Sequence, residues 1–143
     1  LEASHSMGRY SQLIGIVVAL KDGYAEKISF HLDEALKINP ENVSAQISKG
    51  TWHAEIVDKA GFMANILYGA TSEQAWNHYE IALNLDGKNI GVLYEVSYGL
   101  FLLDAKEDII KAKQLLLKAI ESSPKNHLDK LYIKKSKELL KIL

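Results

Sequence analysis

The sequence predicts an all-α helical repeat: about three helix pairs and a C-terminal capping helix, in a single domain over residues 9–143. Three features of the chain point to it. One spacing of aliphatic, large, alanine and breaker residues recurs three times. Between the recurrences apolar residues follow a helical period. The last segment is apolar on one side and lysine-rich on the other.

The recurring segments are ISFHLDEALKINP, AWNHYEIALNLDG and AKQLLLKAIESSP. The first holds Ile28, Leu32, Ala35 and Pro40, the second Ala75, Tyr79, Ala82 and Gly87, the third Ala112, Leu116, Ala119 and Pro124. Residues four and seven apart share a helix face. Alanine there lets a neighbouring helix approach closely, and the large residue fills the space beside it. Proline or glycine further on ends the helix.

With these residues the chain resembles the tetratricopeptide repeat family, whose unit is a helix pair with an alanine, large residue and proline in its second half. Gly50 falls in the place of the family's first-helix glycine. The resemblance covers about residues 9–124. It is strong in the second helices (28–38, 72–85, 106–122) and degenerate in the first ones. It implies a right-handed solenoid whose first helices line a concave, peptide-binding groove.

Local signals mark the boundaries. Thr71 with Gln74, and Asp104 with Glu107, have capping-box spacing. Gly69 is placed to close a helix in the left-handed conformation. In the final segment Leu128, Leu131, Tyr132 and Leu139 share one side, as a solenoid's last helix requires. LEASHSM at the start reads as an expression-vector remnant, so residues 1–8 stay outside the fold prediction.

The middle unit is too long. The motif alanines at 35, 82 and 119 are unevenly spaced, and the extra residues lie around Trp52–Ala70. No proline interrupts Val43, Ile47, Ala54, Val57, Ala64 and Leu67, so a nearly continuous helix is expected over 42–68, with Gly61 as its one weak point. Such a helix overhangs its partner and carries Ile56, Phe62, Met63 and Ile66. These side chains must bury against the N-terminal helix (10–20), another unit, a second copy of the chain or a ligand. The long helix is therefore the candidate homo-oligomer contact.

Composition narrows the chemistry. Without cysteine, thiolate metal sites, thiol catalysis and disulfides are excluded. A net charge of −1 gives no general attraction to nucleic acid, and the lysines near the C-terminus have neither arginine nor aromatic interleaving. The run LIGIVVAL is too short to cross a bilayer, which needs about 20 residues. A soluble protein of cytoplasm or periplasm is expected, without membrane insertion.

No nucleotide, metal or hydrolase motif is present, so neither enzyme activity nor a cofactor or metal is expected. The histidines lack partners at ligand spacing. His53 with Glu55 would form an acid/base pair only if folding brought a third group to them. The better signal is YEVSYGLF, where Tyr94, Tyr98 and Phe101 fall on one helix face. Counting from the preceding motif alanine places them in the groove. Counting back from Ala112 rotates the frame by three residues. Thr51 and Glu55 are the corresponding groove residues of the middle unit. A protein or peptide partner is expected there. The competing reading is a periplasmic, oligomeric accessory protein of a solute transporter, with a closed apolar ligand cavity.

Overall fold

A computed structural model describes residues 1–3, 7 and 22–143 of the chain. Over 22–143 it forms seven helices and no strand: α1 (Tyr24–Ile38), α2 (Val43–Ala60), α3 (Met63–Tyr68), α4 (Ser72–Asp86), α5 (Ile90–Leu103), α6 (Lys106–Glu121) and α7 (His127–Leu140). Among the described residues no helix is long and apolar enough to cross a membrane.

The helices alternate between two layers. In one, α5 packs between α2 and α7. In the other, α1 lies on α2, α4 on α2 and α5, and α6 on α5 and α7. Every described helix of the first layer opens with an asparagine cap. Asn42 accepts from the Ala45 N–H at 3.0 Å, Asn89 from the Gly91 N–H at 2.9 Å, and Asn126 from the Asp129 N–H at 2.8 Å. An asparagine oxygen satisfies a backbone donor that the first helical turn leaves without a partner. Each of the three lies seven residues after a motif alanine. The repeat is therefore one residue type richer than alanine and breaker alone.

The motif residues sit where helices touch. Leu32, Tyr79 and Leu116 are buried, as are Ala75, Ala82, Ala112 and Ala119. Ala35 and Ile28, on the outermost described helix, are half-buried. The main core joins α2, α4, α5 and α6 through Ala54, Tyr79, Leu93, Val96, Leu100 and Leu115. A second cluster joins α1 to α2 and α3 through Ala25, Leu32, Trp52, Ile56, Ala64 and Ala70. Both tryptophans also donate across an interface. Trp52 Nε1 reaches the Ala25 carbonyl at 2.9 Å, and Trp76 Nε1 reaches Asp108 Oδ1 at 2.6 Å.

The continuous helix expected over 42–68 is not what forms. Gly61 takes φ 53°, ψ −129°, closes α2 by donating to the Val57 carbonyl at 2.9 Å, and turns the chain into the short α3. Positive φ suits glycine because it lacks Cβ. The break returns Ala64 and Ala70 to Trp52 and Ile56, burial that a straight overhang would forfeit. Closure at Gly69 follows the sequence expectation. Gly69 has φ 65°, and the next residue, Ala70, donates to the Ala64 carbonyl at 3.2 Å. The expected contact with a helix over 10–20 lies outside the described residues.

The two capping boxes also need correction. Thr71 does cap α4, accepting from the Gln74 N–H at 3.1 Å, but its own N–H turns to His53 Nδ1 at 3.3 Å. Asp104 is used to end α5, in the left-handed conformation at φ 57°, and α6 starts after Ala105 with no side-chain cap. On α7, Leu139 is buried and Tyr132 half-buried, but Leu128 and Leu131 are exposed. The fully buried residue of that face is Ser136, whose hydroxyl bonds the Tyr132 carbonyl and so needs no water.

Candidate functional site

A groove of about 890 Å³ opens across α2, α5 and α7, with one end against α1. The asparagine caps give all three helices a common frame. Counting from the cap, the second, sixth and ninth residues line the groove: Ser44, Ser48 and Thr51 on α2, and Leu128, Tyr132 and Lys135 on α7. On α5 the same frame supplies Gly91 and Glu95. Offsets of four and seven residues hold these positions on one face. Between the polar positions lie Ile47, Trp52 and Val92, and Glu55 extends the α2 wall.

Thr51 and Glu55 line the groove. Tyr94, Tyr98 and Phe101 do not. Tyr98 occupies the ninth position of α5, yet all three are half-buried beside the groove. The Tyr94 ring packs against Tyr132 at 5.5 Å between centroids, and Tyr98 lies 6.4 Å from Phe101. The groove-facing frame is the one displaced by three residues, and it selects Gly91 and Glu95 in place of Tyr94 and Tyr98. Glu95, Tyr132 and Lys135 were missed. The signal that would have found them is the asparagine seven residues after each motif alanine.

Tyr79 sets the spacing between the first-layer helices. This α4 side chain, fully buried, passes between Gly50 of α2 and Gly99 of α5. A Cβ at Gly50 would stand 2.5 Å from Tyr79 Cε1, and one at Gly99 would overlap the hydroxyl. Only glycine admits the ring at either place. The hydroxyl then meets Thr51 Oγ1 at 3.2 Å, under the groove.

The groove's charges are unbalanced. Among the described residues, Glu55, Asp86 and Glu95 line it against one cation, Lys135. Burial pushes the Glu55 carboxyl above the usual carboxylate range, with Lys59 opposing. Burial does the same to Glu95, opposed by the Tyr132 hydroxyl and Lys135. The Tyr79 hydroxyl is pushed up by its burial, the bond to Thr51 opposing.

His53 and Glu55 do not form a pair. Glu55 faces the groove, whereas His53, 2% exposed, packs away from it against α4. There its ring stacks on His78 at 5.8 Å, an association of two histidines that their separation in sequence conceals. Because His53 Nδ1 accepts from Thr71, the neutral ring carries its proton on Nε2, and that atom has no partner among the described residues. Burial, then Lys49 and His78, push this imidazole down to about 4. Lys49 is itself held by Asp33 at 2.8 Å and the Ser29 hydroxyl at 2.6 Å.

The four residues assigned to the overhang are dispersed. Ile56 is buried in the second cluster and Met63 is half-buried, whereas Phe62 is 86% and Ile66 72% exposed. Among the described residues no group of three or more histidines and carboxylates is placed to hold a metal ion. No protein-family model matches the chain, and no curated protein matches it.

Proposed function

We propose that this chain is a non-enzymatic scaffold of the tetratricopeptide type, a right-handed solenoid that binds an extended protein segment in the groove across α2, α5 and α7. The groove itself is the observation that carries this reading. It crosses three consecutive first-layer helices at repeated offsets and alternates apolar with hydrogen-bonding side chains. An extended chain presents the same alternation, with side chains to opposite faces and a rise of about 3.3 Å per residue. The transporter-accessory reading calls for a closed apolar cavity, and an open groove bearing three carboxylates does not suit one.

A displayed library of random peptides, panned on the intact chain, tests the proposal. Binders should lose at least about ten-fold in affinity on Ser44→Trp, which fills the groove from an exposed position. The circular dichroism of that variant should be unchanged. A library that yields no binders, or only binders indifferent to Ser44→Trp, refutes the assignment.

A further inference from the structure

We infer that the segment taken by the groove is cationic, its lysine or arginine side chains seated against the groove carboxylates Glu55 and Glu95. The inference rests on the peptide-binding reading above and adds the partner's chemistry to it. Glu55 stands on α2 and Glu95 on the adjacent α5, and both line the groove. α2 and α5 pack on each other, so the two carboxylates lie on neighbouring walls of one groove. Among the described residues no cation forms an ion pair with either carboxylate. Lys59 pairs with Asp58 at 2.7 Å, and Lys135 lies over the Tyr94 and Tyr132 rings at 5.5 and 5.7 Å.

Glu55 makes no ion pair and no hydrogen bond among the described residues, although it is only half-exposed to water. A carboxylate withdrawn from water without a partner costs free energy, and a docking ammonium or guanidinium recovers it with a charge-assisted hydrogen bond. Glu95 has the Tyr132 hydroxyl on one side and is likewise withdrawn. Asp86 carries the negative field toward the start of α5. An acidic segment would meet like charges along the same wall. Beside the carboxylates, Ile47, Trp52 and Val92 offer an apolar surface for the stem of the basic residue and for a neighbouring apolar side chain.

The test uses the intact chain and three peptide libraries of about twelve residues, alike except for a central Lys, Gln or Glu. Selected peptides are measured by fluorescence anisotropy at roughly 50 and 300 mM salt. The Lys library should give groove binders at least about ten-fold tighter than the Gln library, and the advantage should shrink at the higher salt. The double variant Glu55→Gln, Glu95→Gln should abolish that advantage while circular dichroism and the urea midpoint show it folded. Gln or Glu peptides that bind as tightly as Lys peptides, and are lost on Ser44→Trp, overturn the cationic assignment and leave the groove reading standing. A Lys advantage that survives the double variant also overturns it. Failure of all three libraries to give any binder sensitive to Ser44→Trp removes the groove reading, and this inference with it.

Discussion

Gly99→Ala should destabilise the protein even though alanine is the better helix former. In an exposed helix the exchange is worth about 1 kcal/mol in favour of alanine. At position 99 the new Cβ would overlap the Tyr79 hydroxyl, and the ring cannot swing away because Gly50 confines its other edge. Overpacking a buried site costs about 1–3 kcal/mol, so a net loss centred on about 1 kcal/mol remains. For a chain of this size that lowers the melting temperature by about 3 °C. The cause is separable, because the other two motif segments carry Leu32 and Leu116 where the middle one carries Tyr79. Tyr79→Leu alone should cost a few kcal/mol through the lost bond to Thr51 and the lost ring volume. In that background Gly99→Ala should become neutral or stabilising, a coupling of about 2 kcal/mol in a urea-denaturation cycle. Equal effects of Gly99→Ala in both backgrounds would show that the ring does not set the helix spacing.

Three further outcomes follow from the same packing. Ala82→Leu and Ala119→Leu, at fully buried contacts, should each lower stability by about 1–3 kcal/mol, and Lys111→Leu should change it far less; equal urea midpoints would contradict the helix contacts. His53 is pushed down to about 4 from an unfolded value of 6.5, so its contribution is complete above pH 6.5 and drains away as pH falls toward 4. Between pH 7 and 5 this should remove about 1–2 kcal/mol, and His53→Gln should flatten that part of the profile. Glu55 and Glu95, held above their usual range, work the other way and add stability as pH falls toward 4.5, so the diagnostic is the difference between the two proteins. Phe62→Ser with Ile66→Ser should leave thermal stability within about 0.5 kcal/mol, both side chains being exposed; a loss above about 1 kcal/mol would mean that another surface covers them.

How far the sequence could be read depended on the range of the interaction involved. The second helices were legible because their motif is local: Ala75, Tyr79 and Ala82 share a face within two turns, and the same holds for Ala112, Leu116 and Ala119. Gly69 was legible for the same reason. The break at Gly61 was not decided locally. Periodicity on both sides favours a continuous helix, and the deciding gain is burial of Ala64 and Ala70 against Trp52, which sequence distance hides. Asp104 misled because one residue was eligible for two jobs, ending α5 and capping α6. The aromatic stripe misled differently. Tyr94, Tyr98 and Phe101 do share a face, but a stripe has no origin, and only the asparagine caps supply one. His53 and His78 met through α2–α4 packing, which no spacing rule announces.

The repeat and the site obey opposite rules. Where the repeat holds, residues recur: alanine at helix contacts, asparagine at helix starts. Along the groove the equivalent positions do not recur. The sixth residue after the cap is Ser48, Glu95 or Tyr132, and the ninth is Thr51, Tyr98 or Lys135. Glu55 stands thirteen residues after its cap, where α5 has Leu102 and α7 has the buried Leu139. A carboxylate at that position is out of keeping with its equivalents: it makes no ion pair among the described residues, and burial disfavours its charge. Local choices that conflict with the fold and lack a compensating contact are expected where function is exercised. Glu55 is such a residue, and Glu95 on the next helix shares its penalty. Stability alone would replace both with neutral side chains, so their presence in the groove is best accounted for by a ligand of opposite charge.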